Sequence, residues 1–145
     1  EQALHDFDEA VRLDPRNAAA RGGRGSALVR LGRHAEAVAA AREALGTGPV
    51  TSGLAYEAAG IFAQAARADG GARTGGRLAL EVRADCEHQA LDLLRQALDL
   101  LPRDQRAAFW RNVVCRDGAL QPLRHRADFA LLEREHAPSP SARPE

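Results

Sequence analysis

The sequence contains no lysine and no methionine, and aromatic residues make up only 4% of its 145 positions. Four Phe, one Trp and one Tyr are too few for the varied core of a large β-sheet protein. Alanine is abundant instead, and alanine has the highest intrinsic helix propensity. The length is typical of one domain with a real hydrophobic core. The composition therefore predicts an all-α domain.

Net charge, paired cysteines and long apolar runs are lacking as well. The 20 basic and 20 acidic residues cancel, which argues against a chain built mainly to bind nucleic acid. Cys86 and Cys115 are too few for a disulfide framework, so we expect a reducing, cytoplasmic compartment. No apolar run is long enough to span a bilayer, and no signal peptide is visible. Because the sequence starts inside a predicted helix without an initiating Met, we expect it to be part of a longer protein.

A repeat of 34 residues organises the first part of the chain. Pro15 and Pro49 are 34 residues apart, and the same shift superimposes small residues at helical spacing. The superimposed pairs include Ala3 with Ala37 and Ala10 with Ala44. A third copy contains Ala90, Ala97 and Pro102 in the same order, after an insertion of about 19 residues. Each unit is a predicted helix–turn–helix that a proline ends.

The period, the pair Leu31-Gly32 at the predicted turn, and Ala37, Ala44 and Pro49 resemble the tetratricopeptide-repeat (TPR) pattern. This resemblance implies a right-handed stack of helical hairpins, an α-solenoid, with capping helices at its C-terminal end. The residues that it assigns to repeat packing are Ala3, Ala10, Gly32, Ala37, Ala44, Ala90 and Ala97.

The repeat register predicts how a TPR domain at residues 1–136 is divided. We expect the end of one repeat, one full repeat, a third repeat with an inserted loop, capping helices and a flexible tail. The corresponding ranges are 1–17, 18–51, 52–104, 105–136 and 137–145. The predicted helices cover residues 2–13, 18–31, 34–45, 53–68, 78–101 and 106–115. Because residues 69–76 are rich in glycine, we expect them to be the most mobile internal segment.

The second half is similar to a narrower group of proteins. Residues 54–62 and 90–98 resemble the two helices of the last repeat in TPR tails of bacterial serine/threonine protein kinases. Residues 108–114 and parts of 117–132 resemble the closing segment of those tails. This resemblance implies a larger signalling protein as the parent chain.

Catalytic chemistry is not indicated in this part of the protein. Kinase activity needs a strand lysine, and the sequence contains none. Cys86 with His88, and Cys115 with His125, do not make a four-ligand metal set. We therefore predict no enzymatic activity, no cofactor and no metal.

TPR modules bind extended or helical segments along the first helices of their hairpins. Carried onto this sequence, the family resemblance implies a ligand groove along Ala19, Gly22, Ser26, Val29 and Arg30 in one unit and Gly53, Tyr56, Gly60, Ala63 and Gln64 in the next. The residues that we expect to contact the ligand are Ser26, Val29, Arg30, Tyr56 and Gln64. The Lys and Asn residues with which some TPR proteins hold acidic chaperone tails are absent here, so we do not expect that ligand. The prediction is a non-catalytic module that binds a protein or peptide partner, with no membrane partner.

Two alternatives stay open at this point. Five arginines between residues 16 and 33, with no acidic residue among them, could form a basic face in a nucleic-acid-associated regulator. These arginines are Arg16, Arg21, Arg24, Arg30 and Arg33. Alternatively, the chain is a structural or oligomerisation segment whose own residues fill its groove.

The helix predicted at residues 106–115 offers two interpretations of Trp110. An aromatic residue could anchor a binding partner. We favour a capping role, because an apolar stripe suits a helix that closes the end of a stack. The stripe consists of Ala107, Trp110, Val113 and Val114.

Overall fold

The computed structural model describes residues 1–69 and 77–137 of the chain. Within these ranges it contains seven α-helices, two 3₁₀ helices and no strand, which confirms the all-α prediction. The α-helices are α1 (Gln2–Leu13), α2 (Ala18–Arg30), α3 (His34–Gly46), α4 (Ser52–Asp69), α5 (Arg77–Asp99), α6 (Arg103–Asn112) and α7 (Ala127–His136). The 3₁₀ helices, Val114–Arg116 and Gly118–Leu123, lie between α6 and α7. We call residues 103–136 the closing segment.

The helices stack in chain order as hairpins. Within the hairpins, α2 packs against α3 and α4 packs against α5. Neighbouring hairpins meet where α1 packs against α2 and where α4 packs against α2 and α3. Small residues lie where the helices touch, because an alanine lets two helix axes approach closely. Ala37, Ala44, Ala90 and Ala97 are fully buried, and Ala10 is half-buried. Ala3 is exposed, because α1 packs against α2 on its other side and the described residues include no helix that precedes α1.

Gly32 ends α2 and adopts a left-handed backbone conformation with φ of +74°. The N–H of Arg33 donates to the carbonyl of Leu28 at 2.9 Å, and the N–H of Gly32 donates to the carbonyl of Val29 at 3.0 Å. These two hydrogen bonds form a Schellman motif, which favours glycine at this position. A Cβ atom on Gly32 would meet no atom within 4 Å. The packing role predicted for Gly32 is therefore wrong, and its role is to make the turn.

The insertion in the third repeat lengthens both of its helices. α4 has 18 residues and α5 has 23, whereas α2 and α3 have 13 each. The loop predicted at residues 69–76 lies outside the described residues except for Asp69, where α4 ends. The predicted flexible tail also lies outside them, apart from Ala137. No helix in the described ranges combines the length and the apolar character that crossing a bilayer requires.

The closing segment covers one end of the stack. Its longer 3₁₀ helix packs against α4, and α7 packs against α5 and α6. Trp110 is 1% exposed, and its ring centroid lies 5.3 Å from that of Phe129 on α7. Val113, by contrast, is 36% exposed, because α6 ends at Asn112 and the chain then turns into the first 3₁₀ helix. The predicted apolar stripe therefore holds at Trp110 and Val114 but is wrong at Val113.

A buried carboxylate connects α5 to the closing segment. Glu87 lies on α5 and, within the described residues, is the one charged residue that is fully buried. Its Oε1 accepts from Nε of Arg83 at 2.9 Å, and its Oε2 accepts from Nη1 of Arg126 at 3.3 Å. Nε2 of His125 lies 3.9 Å from the same Oε2. Since Arg126 precedes α7, this ion-pair cluster fixes where α7 begins relative to α5.

Candidate ligand groove

A cavity of about 270 Å³ lies between α2, α4 and the closing segment. We call it the groove cavity. The five residues predicted to contact the ligand all line it: Ser26, Val29, Arg30, Tyr56 and Gln64. Gly60, another predicted groove position, lines the cavity as well, whereas Ala19, Gly22, Gly53 and Ala63 do not. The structure adds four lining residues that the prediction missed: Glu57, Ile61, Asp117 and Ala119. The α2 residues share one face because they stand at positions i, i+3 and i+4.

Glu57 forms the acidic wall of the groove cavity. Its Oε1 accepts a hydrogen bond from Oγ of Ser26 at 2.8 Å, which joins α4 to α2. A Cβ atom on Gly22 would lie 2.5 Å from Oε2 of Glu57, so glycine at this position leaves room for the carboxylate. A sequence signal for Glu57 existed, because it is the only charged residue of α4 before Arg67.

Tyr56 connects α4 to the closing segment. Its hydroxyl donates to Oδ2 of Asp117 at 2.5 Å, and its ring packs edge-to-face on Phe109 with centroids 5.2 Å apart. The backbone N–H of Ala119 donates to Oδ1 of the same Asp117 at 2.8 Å. The hydroxyl of Tyr56, a residue predicted to contact a ligand, is therefore occupied by an internal hydrogen bond, and only its ring remains for such a contact.

The environment of Tyr56 changes its acidity. Burial first, and then the hydrogen bond to Asp117, raise the pKa of Tyr56 far above its ordinary value. Since the folded-state pKa exceeds the unfolded one, this contribution to stability is complete below about pH 10. It is lost as the pH rises through the folded-state pKa.

Alkaline titration of the single tyrosine tests this contact. In the native protein we expect tyrosinate absorbance to appear well above the ordinary tyrosine pKa of about 10, and in urea near that value. Asp117→Asn removes the negative charge, so the native curve should move part of the way back. A native tyrosine that titrates as it does in urea would contradict the observed contact.

Arg30 lies at the edge of the groove cavity with its side chain exposed. It makes no hydrogen bond or ion pair with any residue in the described ranges. Val29 and Ile61 are buried and form the apolar floor beside it. Gln64 donates from Nε2 to the carbonyl of Gly60 at 3.2 Å, and its side-chain carbonyl stays available. The free donors of the groove cavity are thus concentrated at Arg30.

Part of the α4 surface next to the groove cavity is covered by the chain itself. The longer 3₁₀ helix of the closing segment packs along α4, and a Cβ atom on Gly60 would lie 3.7 Å from Cβ of Ala119. The groove cavity is the portion that this contact leaves open between α2 and α4. The closing segment therefore shortens the groove without filling it.

The arginines of the predicted basic face are mostly paired. Arg21 contacts Glu43 on α3 at 2.5 Å, and Arg24 contacts Asp8 on α1 at 2.6 Å. Arg33 pairs with Glu36 at 2.6 Å. The helices α3 and α1 thus supply the acids that pair with Arg21 and Arg24, whereas Arg33 pairs with an acid three residues farther along the chain. A continuous unpaired basic face is not present in the described residues.

The N-terminal part of the chain is similar to a known protein family. Residues 1–50 match the family described as tetratricopeptide repeat. No curated protein and no solved structure matches the chain. TPR repeats generally mediate protein–protein interactions, and the fold is typically non-catalytic. The match covers the segment in which the 34-residue register is clearest, and with the all-α stack it supports a TPR domain.

Proposed function

We propose that this chain is a non-catalytic module that binds a segment of a partner protein in the groove cavity. The observation that carries the proposal is the unpaired Arg30. It lies beside an apolar floor in a cavity between α2 and α4, which are the first helices of two hairpins. An arginine offers five donors to backbone carbonyls or carboxylates of a ligand. The TPR match adds support, because these repeats generally bind proteins.

The proposal includes a larger parent protein, such as a bacterial serine/threonine kinase, to which this module presents partners or substrates. The similarity of residues 54–62 and 90–98 to kinase-tail repeats motivates it. The reading frame upstream of Glu1 tests this part separately, because a kinase domain encoded there is the expected result. A reading frame without a kinase domain contradicts it and leaves the binding proposal intact.

A structural role is the second candidate function. It is favoured by the closing segment, whose 3₁₀ helix already covers part of the α4 face. In that case the module serves to join or space other parts of its parent chain. We do not propose nucleic-acid binding, because Arg21, Arg24 and Arg33 are paired with acids.

An immobilised library of random 12-residue peptides tests the binding proposal. We expect the protein to retain a reproducible set of peptides, and Arg30→Ala to weaken the best of them about tenfold. Arg16→Ala is the matched control, because Arg16 is also exposed but lies outside the groove cavity. Its effect should be negligible.

Two outcomes count against peptide binding in the groove. If no peptide is retained above background, the structural role replaces the proposal. If Arg30→Ala and Arg16→Ala weaken binding equally, and only at low salt, the interaction is a non-specific charge effect.

A further inference from the structure

The distribution of carboxylates within the described residues is uneven. Four acidic residues in the described ranges are buried or half-buried: Glu57, Glu87, Asp117 and Asp128. Glu87 pairs with Arg83 and Arg126, and Asp128 lies 3.7 Å from Arg126. Glu57 and Asp117 accept hydrogen bonds from neutral groups, and no cation of the described residues pairs with either. Both line the groove cavity.

A partly buried carboxylate loses hydration, and a nearby cation normally compensates for that loss. Glu57 and Asp117 receive hydrogen bonds but no opposite charge. The groove cavity holds these two carboxylates against the single guanidinium of Arg30, so it is acidic in a chain whose net charge is zero. This excess of negative charge favours a positively charged group as the ligand of the groove cavity.

The negative and positive charges lie at different places along the groove cavity. Glu57 contacts Ser26, whereas Arg30 lies one helical turn farther along α2, about 6 Å away. The volume of about 270 Å³ lies below the range of about 300–1,000 Å³ typical of pockets for whole small molecules. A cavity of this size with an apolar floor suits one long side chain of a bound segment.

We propose that the groove cavity binds a lysine or arginine side chain of the partner segment, with its charged end at Glu57 and Asp117 and its methylenes against Val29 and Ile61. Acceptors of the same segment then face Arg30. The inference rests on the proposed function, since it names the chemical class of the segment that the groove takes. Acidic peptide tails are disfavoured at this position, because they would meet two carboxylates.

The same random-peptide library decides between basic and other ligands. Among retained peptides we expect lysine and arginine to be enriched several-fold at one position. Replacing that residue by norleucine in the best peptide should weaken binding to the native protein by roughly tenfold. Raising the salt concentration should reduce the difference, since half-buried pairs are still partly screened.

Glu57→Gln is the protein-side test. It keeps the shape that fits beside Gly22 and still accepts from Ser26, but it removes the negative charge. Binding of the selected basic peptides should fall roughly tenfold, while the norleucine peptide should bind both proteins alike. Glu133→Gln is the matched control, because Glu133 is exposed on α7 outside the cavity and should leave binding unchanged.

The outcomes separate this inference from the proposed function. If no peptide is retained, the proposed function fails. Retained peptides without a basic preference, or with one that Glu57→Gln leaves unchanged, overturn the inference alone. A concentration-dependent dimer that Glu57→Gln dissociates would also overturn it, since a second copy would then fill the groove. Should Glu57→Gln fail to fold, the norleucine comparison on the native protein still decides.

Discussion

Trp110→Ala is expected to lower the free energy of unfolding by about 3–5 kcal/mol, the usual cost of deleting a buried indole. Trp110 is 1% exposed, and its ring lies 5.3 Å from that of Phe129 and 6.1 Å from that of His136. The indole thus packs α6 against two aromatic side chains of α7. Urea denaturation followed by far-UV circular dichroism measures the loss.

Two variants calibrate that result. Nε1 of Trp110 has no hydrogen-bond partner in the described residues, so Trp110→Phe removes packing volume but no hydrogen bond. It should cost clearly less than the alanine variant. Leu131→Ala, at a position on α7 that is 48% exposed, should change stability by less than about 0.5 kcal/mol. If Trp110→Ala costs no more than Leu131→Ala, the closing segment does not stabilise the stack.

Glu87→Ala is expected to lower the free energy of unfolding by about 2–4 kcal/mol. Removal of the carboxylate leaves Arg83 without its partner, leaves Arg126 with Asp128 at 3.7 Å alone, and opens a gap between α5 and the start of α7. Breaking a fully buried ion pair costs about 3–5 kcal/mol, and the expected loss is smaller here because both guanidinium groups reach water. Thermal and urea denaturation give the measurement.

A double-mutant cycle assigns the loss at Glu87 to its ion pairs. Glu87→Gln keeps the side-chain volume and one acceptor, so it should cost less than Glu87→Ala. Combining Glu87→Ala with Arg126→Ala should cost less than the sum of the single changes, because the two residues interact directly. Strict additivity would show that Glu87 acts through packing and that the ion pair with Arg126 contributes nothing.

The repeat register predicted the helices well, because their signals are local. Alanines at helical spacing and a proline after each hairpin set the starts of α1, α2 and α3 at the residues that the structure shows. The five residues that the TPR resemblance assigned to ligand contact also lie together in one cavity. Periodicity was sufficient for the helices, whereas the groove positions required the family resemblance.

The partners of the polar side chains could not be read in this way. Ser26 and Glu57, or Tyr56 and Asp117, are far apart in the chain and meet only after the hairpins and the closing segment have packed. The same holds for Arg24 with Asp8 and for the cluster around Glu87. Local patterns specify helix faces, whereas these contacts depend on the register between helices.

The two ends of the stack differ in how firmly they are held. No residue of α1 is buried, whereas the closing segment buries Trp110, Phe129 and Leu132 against its neighbours. Local opening is easiest where little apolar surface is covered, so within the described residues we expect α1 to open more readily than the hairpin of α4 and α5. Ser26 and Arg30 lie on α2, which packs against α1, while Glu57 lies on α4 and Asp117 in the closing segment. A bound segment that contacts both sides of the groove cavity would therefore couple the less buried part of the stack to the more buried part.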